Sequence, residues 1–178
     1  MFRKMSLPLT DIWYNILVYN KEKSMISYLK FSLLLFAIHF ICYIIAGVID
    51  LQLAKRIYEG KDRLYKSFFR NMEDKQESNR VAMLLLPSQF IRAILMSVVL
   101  YPILPYLKEL SFGIQFLFMG GLMFIYADFS SAIPFSNTIE GLVYLKKQFV
   151  KVNVFLTIQF EAILYSSMFG LLSAWILL

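Results

Sequence analysis

Four long apolar runs divide this chain, at 30–49, 81–107, 112–133 and 154–178. Each approaches or exceeds the ~20 apolar residues that a helix needs to cross a ~30 Å hydrocarbon layer. The pattern predicts an all-α polytopic membrane protein, a four-transmembrane-helix bundle with flanking amphipathic and interfacial helices, built as a single membrane domain over 1–178. The connection between the second and third runs is a tight hairpin holding Pro105, where backbone disruption at a span end is cheap.

The segments between the runs carry the polar pattern. Residues 1–29 read as an interfacial N-terminal arm, with Thr10 as a helix cap and Trp13, Tyr14 and Tyr19 at the level where amphipathic rings collect. Residues 50–80 hold eight Lys/Arg and six Asp/Glu, with Leu53, Ile57, Leu64, Phe68 and Met72 at helical spacing. That spacing predicts one or two amphipathic helices with a break at Gly60. Residues 134–153 form a polar and basic connector. Ser136 or Asn137 is expected to cap a helix there, with Glu140 three residues beyond Asn137 as in a capping box. That helix is expected to run through Lys146, Lys147 and Lys151 into the fourth span.

The chain is 59% apolar with a net charge of +6. The basic residues flank the runs, so anionic lipid headgroups are the expected counter-charge, and no nucleic-acid motif is present. Four spans put both termini on one side with six Lys/Arg. Residues 50–80 share the other side with Lys146, Lys147 and Lys151, which makes eleven. The positive-inside rule makes that second side cytoplasmic, in a plasma or inner membrane. The first run is too long for a signal-peptide core and lacks a cleavage site, so it is expected to stay in place. The single cysteine, Cys42, lies inside it and leaves the redox compartment open.

Charges inside the runs are costly and need partners, water or a role. His39, Ser88, Gln89, Arg92, Asp128 and Glu161 form the expected intramembrane polar cluster. At 1.5 Å per residue, Arg92 and His39 lie roughly 15 Å deep and Glu161 roughly 10 Å. An Arg92–Glu161 ion pair follows, with Asp128 as a competing acid. Ser88, Gln89 and Arg92 are expected to share one helix face turned toward the bundle. Ser136, Asn137 and Glu140 would form a polar mouth above the cluster. Ala162, Ser166, Gly170 and Ala174 recur every four residues and predict close helix packing, with Gly120 and Gly121 as the receiving surface.

One histidine with scattered acids makes a poor ligand set, so neither a metal nor another cofactor is expected. No nucleophile motif is present. The expected function is that of a small scaffold or accessory subunit, docking a protein partner through 50–80 or the fourth span, with homo-oligomerisation open. The alternative is a transporter, channel or insertase-like protein using a hydrated cluster. A membrane-embedded lipid-modifying enzyme is third.

Overall fold

Helix boundaries in this chain follow capping chemistry more closely than they follow hydropathy. The computed structural model describes residues 9–63, 65–67, 69–130 and 135–178, with side chains from residue 24 onward except at 126–128. The readings made on residues 1–8, on Leu64 and Phe68, and on the side chains of the N-terminal arm and of Asp128 lie outside the described residues.

Helix α1 runs unbroken from Leu9 to Leu53, so the arm and the first apolar run are one rod, and Thr10 lies within it rather than capping a separate helix. After the four-residue α2, Lys55–Tyr58, the chain turns at Gly60, whose φ of 91° suits a residue without a side chain. The amphipathic helices expected over 50–80 are reduced to α2 and the first turns of the next helix. The rest of the described stretch is irregular, and its Tyr65 and Phe69 pack inward.

Helix α3, Lys75–Leu100, starts six residues before the apolar run. The Asp74 carboxylate accepts from the backbone N–H groups of Gln76 and Glu77, both at 2.9 Å, and so satisfies two unpaired donors of the first turn. Pro102 and Pro105 then break the helix into a 3₁₀ turn, Tyr101–Ile103, and the short α4, Leu104–Lys108. Helix α5, Phe112–Leu122, widens into a π turn over Met123–Phe129, where the Ile125 carbonyl accepts from both the N–H and the hydroxyl of Ser130. Helix α6, Ile139–Tyr144, is capped by Thr138, not Ser136 or Asn137. The Thr138 hydroxyl accepts from Gly141 N at 2.9 Å and from Phe135 N at 3.0 Å. Helix α6 does not run on into the last span. Extended backbone at Leu145 and Lys146 and a 3₁₀ turn at Lys147–Phe149 intervene, and α7 spans Val152–Ile176.

Among the described residues, three helices are long and apolar enough to cross a membrane: Ser24–Leu53, Lys75–Lys108 and Val152–Ile176. The third apolar run yields a shorter helix, Phe112–Ile125. Most of the three spanning surfaces point outward. Met83, Leu95, Val99 and Trp175 are 72%, 64%, 69% and 75% exposed. Water would not tolerate so broad an apolar surface, whereas lipid tails match it.

The helices pack in the order α3, α1, α7, α5, since α1 contacts both α3 and α7, and α5 lies against α7. Leu35, Ile38 and Cys42 of α1 meet Met119 and Phe169 in the main hydrophobic core. A second cluster closes one end, where Ile57 and Tyr65 pack with Val154 and Ile158, and the Tyr65 hydroxyl donates to the Phe149 carbonyl at 2.6 Å. Both basic connectors therefore meet at the same end. Because α3 and α5 lie at opposite ends of the row, a groove of about 580 Å³ opens between α3 and the α5–π junction.

Candidate functional site

The centre of α1 carries a polar residue with no exposed surface, His39. Its Nε2 lies 2.8 Å from Gln89 Oε1 on α3, and its Nδ1 is hydrogen-bonded to the Tyr165 hydroxyl on α7. A neutral ring satisfies both contacts as one tautomer, with Nε2–H donating to the amide oxygen and Nδ1 accepting from the phenol. Both nitrogens are engaged, so His39 ties three helices together and has no lone pair left for a metal. A second polar tie sits further along the same helices. Ser32 Oγ and Tyr28 Oη lie 2.9 and 3.0 Å from Ser97 Oγ, which donates to the Ile94 carbonyl.

Helix α3 divides the expected polar face. Gln89 is buried with Ala93, Ser97 and Leu100, at spacings of three and four. Ser88 and Arg92 are exposed. At 100° per residue, Arg92 is rotated about 60° from Gln89, enough to turn it from the α1 contact into the groove beside α5. Ser88 and Arg92 line that groove with Leu95 and Met123.

Arg92 and Glu161 do converge, on a cavity of about 410 Å³ that also meets Tyr43, Tyr58, Asn137 and Tyr165. The polar mouth is thereby joined to the cluster through Asn137. Gln159 Nε2 donates to the Asn137 carbonyl at 2.6 Å and fixes that loop against α7. Ser136 is buried, while Glu140 is half-buried in the first turn of α6.

An acid that the sequence reading assigned to the charged loop belongs to this site. Asp50 is 3% exposed and stands in the last turn of α1. It lines one cavity with Glu161. A Cβ placed on Gly47, one turn before Asp50, would lie 4.0 Å from Glu161 Oε1, so the Glu161 carboxyl rests on this face of α1. Two carboxyls at one site do not both ionise cheaply, so the pair favours holding one proton. Tyr58 lies nearby, outside the spans. Burial pushes its phenol above the ordinary tyrosine range, and the Asp50 and Glu161 charges act in the same direction.

The packing residues Ala162, Ser166, Gly170 and Ala174 are all buried. A Cβ on Gly170 would lie 2.8 Å from Gly120 N and from the Phe116 carbonyl oxygen, and one on Gly120 would lie 3.0 Å from the Ser166 carbonyl oxygen. This seam is the α5–α7 contact within one chain. Gly121, its neighbour, has nothing within 4 Å of an added Cβ and takes no part.

Tyr43, Asp50 and Tyr165 escaped sequence reading. Asp50 follows Gly47 by three residues and Tyr43 by seven, while Tyr165 follows Glu161 by four. Helical spacing from the chosen acid would have found the tyrosine. No protein-family model matches the chain, and no curated protein or solved structure matches it either, so its function has to be argued from its own residues.

Proposed function

We propose that this protein is a small integral membrane scaffold or accessory subunit that holds a transmembrane helix of a protein partner in the groove between α3 and α5. In this reading α5 and its π turn form a fourth membrane-embedded element, about 27 Å long at 1.5 Å per residue. The observation that carries the proposal is an exposed arginine at mid-span in an apolar groove. Arg92 stands at the middle of the helical run Lys75–Lys108, roughly 15 Å from either face of a ~30 Å hydrocarbon layer. Lipid headgroups lie at those faces and answer its charge only at a distance. A partner helix with a carboxylate at its own centre answers it at the right depth, and Leu95, Val99 and Leu122 give that helix an apolar seat. Glu161, across the shared cavity, pairs with Arg92 when the groove is empty and yields it to the stronger bidentate partner.

The basic end formed by residues 50–80 and 146–151 faces the cytoplasm and anionic headgroups in this reading. A transporter or insertase-like role is the second reading. The cavity beside Arg92 favours it, because Tyr58, Asn137 and Glu161 give that cavity a polar lining.

The test uses two synthetic leucine-rich transmembrane helices, identical except for Asp or Leu at the central position. Each is titrated against the dye-labelled full chain in phosphatidylcholine vesicles, with energy transfer as the readout. The Asp helix is expected to bind at least tenfold more tightly. Arg92→Leu should erase that preference and Arg92→Lys should keep part of it. Equal binding of the two helices to the wild type, or an unchanged preference in Arg92→Leu, would sink the proposal.

A further inference from the structure

The basic end of the molecule holds a cavity of about 660 Å³ between the end of α1 and the start of α7. Its volume falls midway in the range of small-ligand sites, roughly 300 to 1,000 Å³. Lys55 and Arg56 line it from α2, and Lys151 from the residue before α7. All three are exposed. No acid lines the cavity, and among the described residues these three side chains have no ion pair or hydrogen bond. The helix ends beside them do not answer the charge. The carbonyl end of α1 and the N–H end of α7 carry roughly half a charge each, of opposite sign, and largely cancel. Three positive side chains are thus left facing one space, and a cleft lined by one sign of charge concentrates counter-ions. An anion is the occupant that lowers their mutual repulsion.

Position in the fold narrows the choice of anion. Leu53 is the last residue of one membrane-crossing helix and Val152 the first of another. Both line the cavity, and they are 60% and 71% exposed. The cavity therefore lies where hydrocarbon gives way to headgroups, with cations for an anionic head and apolar side chains for the tails below it. A free phosphate uses only the first half of this arrangement. Charge narrows the choice again. A phosphodiester headgroup brings a single negative charge, whereas a phosphate monoester brings about 1.5 to 2 near pH 7, on three acceptor oxygens. Arg56 can engage two of those oxygens as a fork, while the lysines act as point charges.

We propose that this cavity binds a lipid whose headgroup is a phosphate monoester, with Lys55, Arg56 and Lys151 holding the phosphate and Leu53 and Val152 lying against the acyl chains. The site depends on this end lying at the headgroups, as in the reading above, and not on a partner helix in the Arg92 groove. Diffuse attraction between basic connectors and anionic lipid would favour any negative headgroup in proportion to its charge. A cavity with three cations around it selects one lipid per chain, and it selects by the chemistry of the phosphate.

The experiment counts lipids bound to the full chain in neutral detergent micelles by native mass spectrometry. Phosphatidic acid, a monoester, is titrated beside phosphatidylglycerol, a diester with the same acyl chains, and soluble glycerol phosphate supplies the headgroup without chains. Phosphatidic acid is expected to fill one saturable site at least tenfold more tightly than phosphatidylglycerol, and a tenfold excess of glycerol phosphate should not displace it. The triple variant Lys55→Gln, Arg56→Gln, Lys151→Gln should lose the preference, and its positions are exposed, so the fold should hold. A second triple variant, Lys61→Gln, Lys146→Gln, Lys147→Gln, removes as much charge from exposed positions outside the cavity and should bind as the wild type does. Arg92→Leu should also bind phosphatidic acid normally, and the cavity triple variant should still prefer the Asp helix, so either site can fail without the other. The proposal is overturned if the two lipids bind equally, if glycerol phosphate displaces phosphatidic acid, or if the two triple variants lose binding alike.

Discussion

His39 meets a different partner at each ring nitrogen, and that decides how its neighbours respond to mutation. Gln89→Leu removes the acceptor of Nε2–H in a buried site, and an unsatisfied buried donor costs about 1–3 kcal/mol. The double variant His39→Leu, Gln89→Leu is expected to lose less than the sum of the two single losses, because no donor is then left stranded on that side. Denaturation in mixed micelles measures all three. Tyr58 supplies a pH test. Its folded-state pKa is raised by burial, so its contribution to stability is fully present below the ordinary tyrosine value of about 10 and is lost as pH climbs above it. The melting temperature should fall above about pH 10, and Tyr58→Phe should flatten that fall. A fall of the same slope in Tyr58→Phe would count against the assignment. At this scale the sequence revealed residue types and depths but not directions. His39, Gln89 and Glu161 were found because polar groups stand out in apolar runs. The Arg92 face was misread because a spacing of three leaves about 60° unaccounted for, and only the neighbouring helix decides which side of that angle is buried.

Among the elements, the α5–α7 seam tests how tightly two backbones approach. Gly170→Ala puts a Cβ 2.8 Å from the backbone of Gly120 and Phe116, atoms that cannot swing aside as a side chain would. Forcing the helices apart is expected to cost about 1–3 kcal/mol. Gly121→Ala, next to the seam but facing open space, should be neutral or slightly stabilising, since alanine favours helix over glycine by about 1 kcal/mol. Thermal unfolding of the two variants in one detergent makes the comparison, and equal losses would refute the seam. The small-residue ridge was legible because glycine, alanine and serine at intervals of four have few other uses in a lipid-facing helix. Helix ends were less legible. Hydropathy marks where lipid begins, whereas a helix ends where its terminal N–H and carbonyl groups find partners. Asp74 and Thr138 are such partners, and they moved the boundaries of α3 and α6 away from the apolar edges. The third run reads as a span by composition, yet its helix is interrupted at Met123, where the hydrogen bonding widens to a π turn, and periodicity carries no signal for that change.

At the scale of the whole molecule, the question is whether Arg92 and Glu161 hold the bundle together. Equal and opposite partners would predict that either single leucine substitution is worse than the double, since each single change strands a buried charge. The observed surroundings are not symmetrical. Arg92 is exposed on the groove, so its charge is not confined between packed helices. Glu161 also shares a cavity lining with Asp50, which is buried and has one oxygen already unsatisfied. Arg92→Leu should therefore cost less than about 1 kcal/mol, because the remaining acids share their proton. Glu161→Leu should cost about 3 kcal/mol or more, because it leaves the Asp50 carboxyl wholly unpartnered. Adding Arg92→Leu to Glu161→Leu should recover little, whereas adding Asp50→Leu should recover most of the loss. Melting temperatures of the wild type and these four variants in one detergent decide the matter. Recovery through Arg92 would make the arginine a structural clamp and remove the basis for a partner helix in the groove. Recovery through Asp50 would make the acid pair the internal unit and leave the arginine directed outward, toward whatever enters the bundle from the lipid.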